Sequence, residues 1–170
     1  MPAASAATID AALSDYVDRV HAWATATHAA LHTFVGDTLQ VSWNATNRVT
    51  QPEAKAARFL AKVVAANAEA TDKSVTASAA MMSGEALCRF SGSGRVQALT
   101  VSMKWRETLR CCLRFAAAHK TAVMDGASAD VASFAVHTRG VALLDGAQGH
   151  DNTSEKDTPC QIEVHEVVGE

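Results

Sequence analysis

The chain has 170 residues, 48% hydrophobic and 19% charged, which suits one globular domain with a proper core and excludes a chain disordered throughout. A formal charge of −3 leaves no excess of cations for phosphates, so a non-specific nucleic-acid binder is excluded as the main role. No apolar run approaches the ~18–20 residues of a membrane span, and the start, Met1 to Asp10, has neither the basic nor the apolar stretch of a secretory signal.

In chain order, residues 1–8 are expected to be irregular. Ile9, Leu13, Val17, Val20, Ala24, Thr27 and Leu31 then recur at helical spacing and predict an amphipathic helix over 9–29. Two runs of β-formers, His32 to Val35 and Leu39 to Trp43, flank Gly36-Asp37 and predict a hairpin. Thr50-Gln51-Pro52-Glu53 has the spacing of a capping box, opening a helix to about Glu69 that buries Ala57, Leu60, Ala61 and Val64. Strands are expected over 75–82, 86–90 and 96–103, with Gly92-Ser93-Gly94 as a flexible loop. Trp105, Leu109, Cys112, Leu113 and Ala116 mark the core stripe of a helix over 104–118. A short strand at 121–124 follows, then a short helix capped by Ser128, and a strand over 136–144. Residues 146–158 are nearly all polar or small and predict an exposed loop, and a strand over 161–168 closes the chain. Helices interspersed with hairpins give an α+β sandwich with a mostly antiparallel sheet, one domain over 1–170.

Several residues invite chemistry, and each has a plainer explanation. Cys88, Cys111, Cys112 and Cys160 show no C-x-x-C spacing, so they are expected to be reduced thiols of a cytoplasmic domain, mostly small apolar packing groups. Arg106, Arg110 and Arg114 share a helix face opposite the core stripe and are expected to be solvated. His28 and His32 are four apart, but no third zinc ligand is visible and His32 falls past the helix end. Gly92 to Arg95 precedes no helix start, so it lacks the dipole of a phosphate loop.

This order of elements resembles the catalytic domain of class III adenylyl and guanylyl cyclases, over about residues 10–169. Ala30 to Trp43, with Gly36-Asp37 at its tip, resembles the family's metal-carboxylate hairpin. Pro52 to Arg58 resembles the start of the Ala-rich helix, Met82 to Ala86 the Ser-Gly-Glu strand ending, and Gln161 to Gly169 the closing strand. The resemblance implies a ferredoxin-like α/β sandwich of the nucleotide-cyclase type and head-to-tail dimers. In that family two Asp carboxylates hold two metal ions, an Asn orients the ribose, and an Arg neutralises developing phosphate charge.

The chain departs from that pattern at most positions. Asp37 matches the second metal carboxylate, and is expected to be vestigial because one carboxylate binds a hard divalent ion poorly. The first carboxylate should lie on a strand before the long helix; nothing before Asp10 looks like that strand, and Ala3 to Ala7 is not β-forming. Laid without a gap, the Asn position falls on Glu107 and the Arg position on Cys111, while the base readers fall on Thr33 and Thr100. In the glycine-rich turn Gly84 and Gly92 fit, but Arg89 stands at the middle glycine. These departures point to a degenerate cyclase-like domain, inactive alone, serving as a dimerisation or regulatory module, with Mg or Mn needed only if activity is retained. Two alternatives stay open: the metal-carboxylate half of a heterodimeric cyclase, and an unrelated α+β protein-interaction scaffold. The absent first strand is central in the cyclase sheet. Its place implies a truncated N-terminus, a rearranged sheet, or a slot filled by a neighbouring chain.

Overall fold

The computed structural model describes residues 6–71, 75–93, 96–145 and 161–169. Its elements are α1 (Ala6–Ala26), β1 (Ala30–Val35), β2 (Thr38–Ser42), α2 (Pro52–Ala68), β3 (Ala79–Met81), β4 (Leu87–Ser93), β5 (Val96–Ser102), α3 (Arg106–His119), β6 (Ala122–Asp125), α4 (Gly126–Ala132), β7 (His137–Asp145) and β8 (Gln161–Gly169). The expected loop at 146–158 and Cys160 lie outside the described residues.

Four strands form one sheet in the order β3-β6-β8-β7, with β3 parallel to β6 and the other pairs antiparallel. The hairpins β1-β2 and β4-β5 are each a separate two-stranded sheet. Helices cover both faces of the four-stranded sheet. On one face Val20, Ala24, Ala57, Leu60 and Ala132 from α1, α2 and α4 pack with Met81, Met124 and Val167. On the other, Cys112 and Ala116 of α3 pack with Val123, Ile162 and Val164. Neighbouring residues of a strand face opposite ways, so Val123 and Met124 serve different cores and every residue of β6 is buried.

A ladder of edge-to-face rings ties the helical layer to the first hairpin. Tyr16 meets Trp23, Trp23 meets Phe59, and Phe59 meets Trp43 at 5.4 Å between centroids. Trp43 Nε1 also donates to Thr27 Oγ1 at 3.2 Å, fixing the end of β2 to the end of α1.

Five local expectations are corrected. The first helix starts at Ala6 and stops at Ala26, because His28 turns left-handed (φ 59°) and the Ala29 N–H bonds back to Ala24 O at 2.8 Å. Leu31 therefore leaves the helical stripe, and Ile9 is exposed. Thr50 makes no capping box: the N-cap is Gln51, left-handed and without a side-chain cap bond, although Pro52 does open the helix. The strand expected over 75–82 is only Ala79–Met81. Gly92 and Ser93 extend β4, paired with Gln97 and Val96, and are not a loop. Ser128 does not cap the short helix; Asp125 occupies that position, and Ser128 lies fully buried inside α4.

Candidate functional site

The hairpin tip is built as the Gly36-Asp37 pair dictates. Gly36 has φ +64° at the first position of a two-residue loop, a conformation open to glycine at no steric cost. Asp37 stands exposed beside it and accepts a hydrogen bond from Thr38 Oγ1 at 3.2 Å. Among the described residues no group of three His, Cys, Asp or Glu side chains could hold a metal ion. One exposed carboxylate and a hydroxyl do not fit the two-metal chemistry of a cyclase.

On α3 the helix face is settled by burial. Cys112 and Ala116 are fully buried, while Arg106, Arg110 and Arg114 are exposed. Glu107 is spent locally, forming an ion pair with Arg110 one turn on, at 2.5 Å. Arg106 turns back to donate to Val101 O at 2.8 Å. Cys112, beside Cys111, has its thiol pushed up to about 11, first by burial and then by the Asp125 and Cys111 charges. It stays protonated and packs, as a nucleophile would not.

Trp105 is corrected from a core residue to the N-cap of α3. Its indole lies over Gly84, where an added Cβ would sit 2.7 Å from Nε1, and it donates to Glu85 O at 3.2 Å. The Ser-Gly-Glu turn thus keeps its glycine for a close ring, while Arg89 is exposed on β4. Thr100, opposite Arg89 in the ladder, is also exposed.

The histidine pair does not converge. His28 is exposed at the helix stop, while His32 sits in β1 with its Nε2 on Ser42 Oγ, at the register shift between Leu31 and Thr33. Burial lowers the His32 pKa from its usual value, which keeps the ring neutral.

Two clusters had no local sequence signal, because their bonded members lie 27 or 45 residues apart. The Ser83 N–H donates to Ser128 Oγ at 2.9 Å, and that hydroxyl donates to Ser83 Oγ at 3.0 Å, locking the turn after β3 onto α4. Glu166 accepts from Thr121 Oγ1 at 2.6 Å and from Arg139 at 2.8 and 2.6 Å. The Thr121 bond leads in holding its carboxyl below the usual range, with Arg139 and the His119 charge adding and burial opposing. These residues line an open cleft of about 400 Å³ with Asn67, Lys120 and Val168.

No protein-family model matches the sequence, and no curated protein matches it. Solved structures do match in three dimensions. The guanylate cyclase domain of RhGC from Catenaria anguillulae, in complex with GTP, superposes at TM-score 0.70 with 12% identity, covering 98% of this chain and 86% of that one. The non-canonical dimeric guanylyl cyclase domain of the RhoGC fusion protein from Blastocladiella emersonii gives 0.69 and 11%, over 98% and 86%. The adenylyl cyclase CyaB from P. aeruginosa gives 0.67 and 13%, over 98% and 85%. The chain therefore has the α+β fold of class III adenylyl and guanylyl cyclase catalytic domains, at a sequence distance that leaves activity to be judged from its own residues.

Proposed function

We propose that this chain is a degenerate cyclase-homology domain that makes no cyclic nucleotide alone and serves as a dimerisation or regulatory module. The observation that carries this is the state of the would-be site. Asp37 stands exposed with Thr38 as its hydrogen-bond partner, and the residues that the ungapped reading sets at the family's Asn and Arg positions are Glu107 and Cys111. A carboxylate that pairs with Arg110 and a thiol beside the buried Cys112 cannot orient a ribose or neutralise a triphosphate. Asp37 is then a vestige of metal binding kept at the hairpin turn. The partner is a second cyclase-like domain, the same or different, as one of the matched structures is described as dimeric. Among the described residues no helix is long and apolar enough to cross a membrane.

The test is direct. Incubated with ATP or GTP and Mn²⁺, the purified chain is expected to yield no cyclic nucleotide, and Asp37→Ala is expected to behave identically. Metal-dependent product that Asp37→Ala abolishes would overturn the proposal.

A further inference from the structure

Between β2 and α2 the chain turns back against the end of α1. Asn44 and Gln51 in this connection, and His28 at the end of α1, are all left-handed. The Asn44 carboxamide accepts from the Val49 N–H at 3.1 Å, and the Trp43 indole is tied to Thr27, so both walls are held by bonds of their own. Between the walls lies an open cleft of about 590 Å³. The five residues of β2, about 17 Å of extended chain, separate it from Asp37. Thr25, His28, Asn47, Arg48, Thr50 and Lys55 line it, beside the buried Val49. No carboxylate lines it, and Glu53, two residues before Lys55, stands outside. Among the described residues neither Arg48 nor Lys55 has an ion-pair partner. The carbonyls of Trp23, Ala24 and Thr25 at the end of α1 already accept from Thr27, Ala29 and His28, so they do not compete for these cations.

A cleft whose charges are of one sign concentrates that potential, here within a chain of formal charge −3. We infer that this cleft binds a phosphate monoester group carried on a small polar body. The Arg48 guanidinium offers a planar fork and the Lys55 ammonium a compact charge, and both make charge-assisted hydrogen bonds to phosphate oxygens. Thr25, Asn47 and Thr50 add uncharged donors around them. The volume falls within the range of roughly 300–1,000 Å³ of small-molecule sites, so a bare phosphate would leave room beside it. Apart from Ala29 and Val49 the walls are polar, which suits a short polyol or sugar as the body and not an apolar one. The inference rests neither on dimer formation nor on the loss of cyclase activity.

The probe is glycerol phosphate, titrated into the ¹⁵N-labelled full chain at fixed ionic strength and without divalent metal. Saturating amide shifts are expected over residues 47–55, with the Gly36 and Asp37 amides unmoved, and glycerol is expected to cause none. Arg48→Gln and Lys55→Gln are each expected to weaken binding about tenfold, the loss of one hydrogen-bonded charge. Arg58→Gln removes an equal charge farther along α2, outside the cleft, and is expected to change nothing. Arg48 is exposed, so its variant keeps the test open if Lys55→Gln, at a half-buried position, does not fold. Phosphatidylcholine vesicles with one-fifth phosphatidic acid present the same phosphate on a lipid. Vesicle binding that Arg48→Gln abolishes, without binding of free glycerol phosphate, would assign the cleft to a lipid headgroup; the reverse would assign it to a soluble ester. The inference fails if neither probe binds, if Arg58→Gln weakens binding as much as Arg48→Gln, or if the shifts centre on residues 36–38.

Discussion

Asn67→Asp tests how the approach to β3 is held against α2. In the native protein the Asn67 carboxamide donates to Ala77 O at 2.7 Å and accepts from the Ala77 N–H at 3.0 Å. An ionised carboxylate at this position still accepts from the N–H but sets an oxygen against the Ala77 carbonyl. One bond is lost and a part-buried acceptor is left unpaired, which costs about 1–3 kcal/mol. For a chain of this size that is a fall in Tm of roughly 2–4 °C per kcal/mol. The sign with pH follows from the protonated form, which restores the donor. The new carboxyl is more easily protonated in the folded state, so its folded pKa lies above the unfolded value of about 3.9. The deficit against wild type is therefore full at pH 7, shrinks as pH falls through the folded pKa, and is gone below the unfolded one. Urea unfolding of both proteins from pH 7 to pH 3.5 measures that difference, in which all unchanged carboxyls cancel. Asn67→Ala loses both bonds and should show a deficit independent of pH. A deficit in Asn67→Asp that does not change with pH, or none at pH 7, would refute the two-bond account.

Glu166 offers the opposite pH dependence. Its folded pKa is depressed, led by Thr121, so its stabilisation is present above about pH 4.3 and lost as pH falls through the lower folded value. The stability gap between wild type and Glu166→Gln is expected to close on acidification, and a gap that widens would show that the Thr121 and Arg139 bonds do not favour the charged form. Cys112, fully buried with its thiol at about 11, is expected to resist iodoacetamide at pH 8 until the chain unfolds. Cys88 and Cys111 are only partly buried and should label first. Fragment-resolved mass spectrometry separates the neighbours, and equal labelling of Cys111 and Cys112 would contradict the packing.

Much of the fold is legible in local pattern. The helix over Pro52–Ala68, the hairpin around Gly36-Asp37 and the solvated face of Arg106, Arg110 and Arg114 follow from period and turn chemistry, because these report which face of a segment is apolar. The site was legible mainly as departures. Asp37 could be placed at a turn, and Glu107 and Cys111 could be placed on α3, because the helix phase needs only its own apolar stripe. Helix ends were less legible. The stop at His28 is a left-handed residue that is not glycine, and nothing in its side chain announces that conformation.

The tertiary structure alone decided what meets across distance. Trp105 continues the apolar stripe of α3 in sequence, yet it caps the helix and covers Gly84, because the Ser-Gly-Glu turn passes there. Ser83 with Ser128, and Thr121 with Glu166, join residues whose separation matches no helix or strand period. Their meeting depends on the strand order β3-β6-β8-β7. The sequence alone showed that Ala3 to Ala7, ahead of the long helix, is not a β-forming run. Only the tertiary structure decided that, among the described residues, the β1-β2 hairpin and the four-stranded sheet pack on one core without pairing with each other. Strand formation is a property of a segment, whereas pairing is a property of the neighbours that the whole fold brings to its edge.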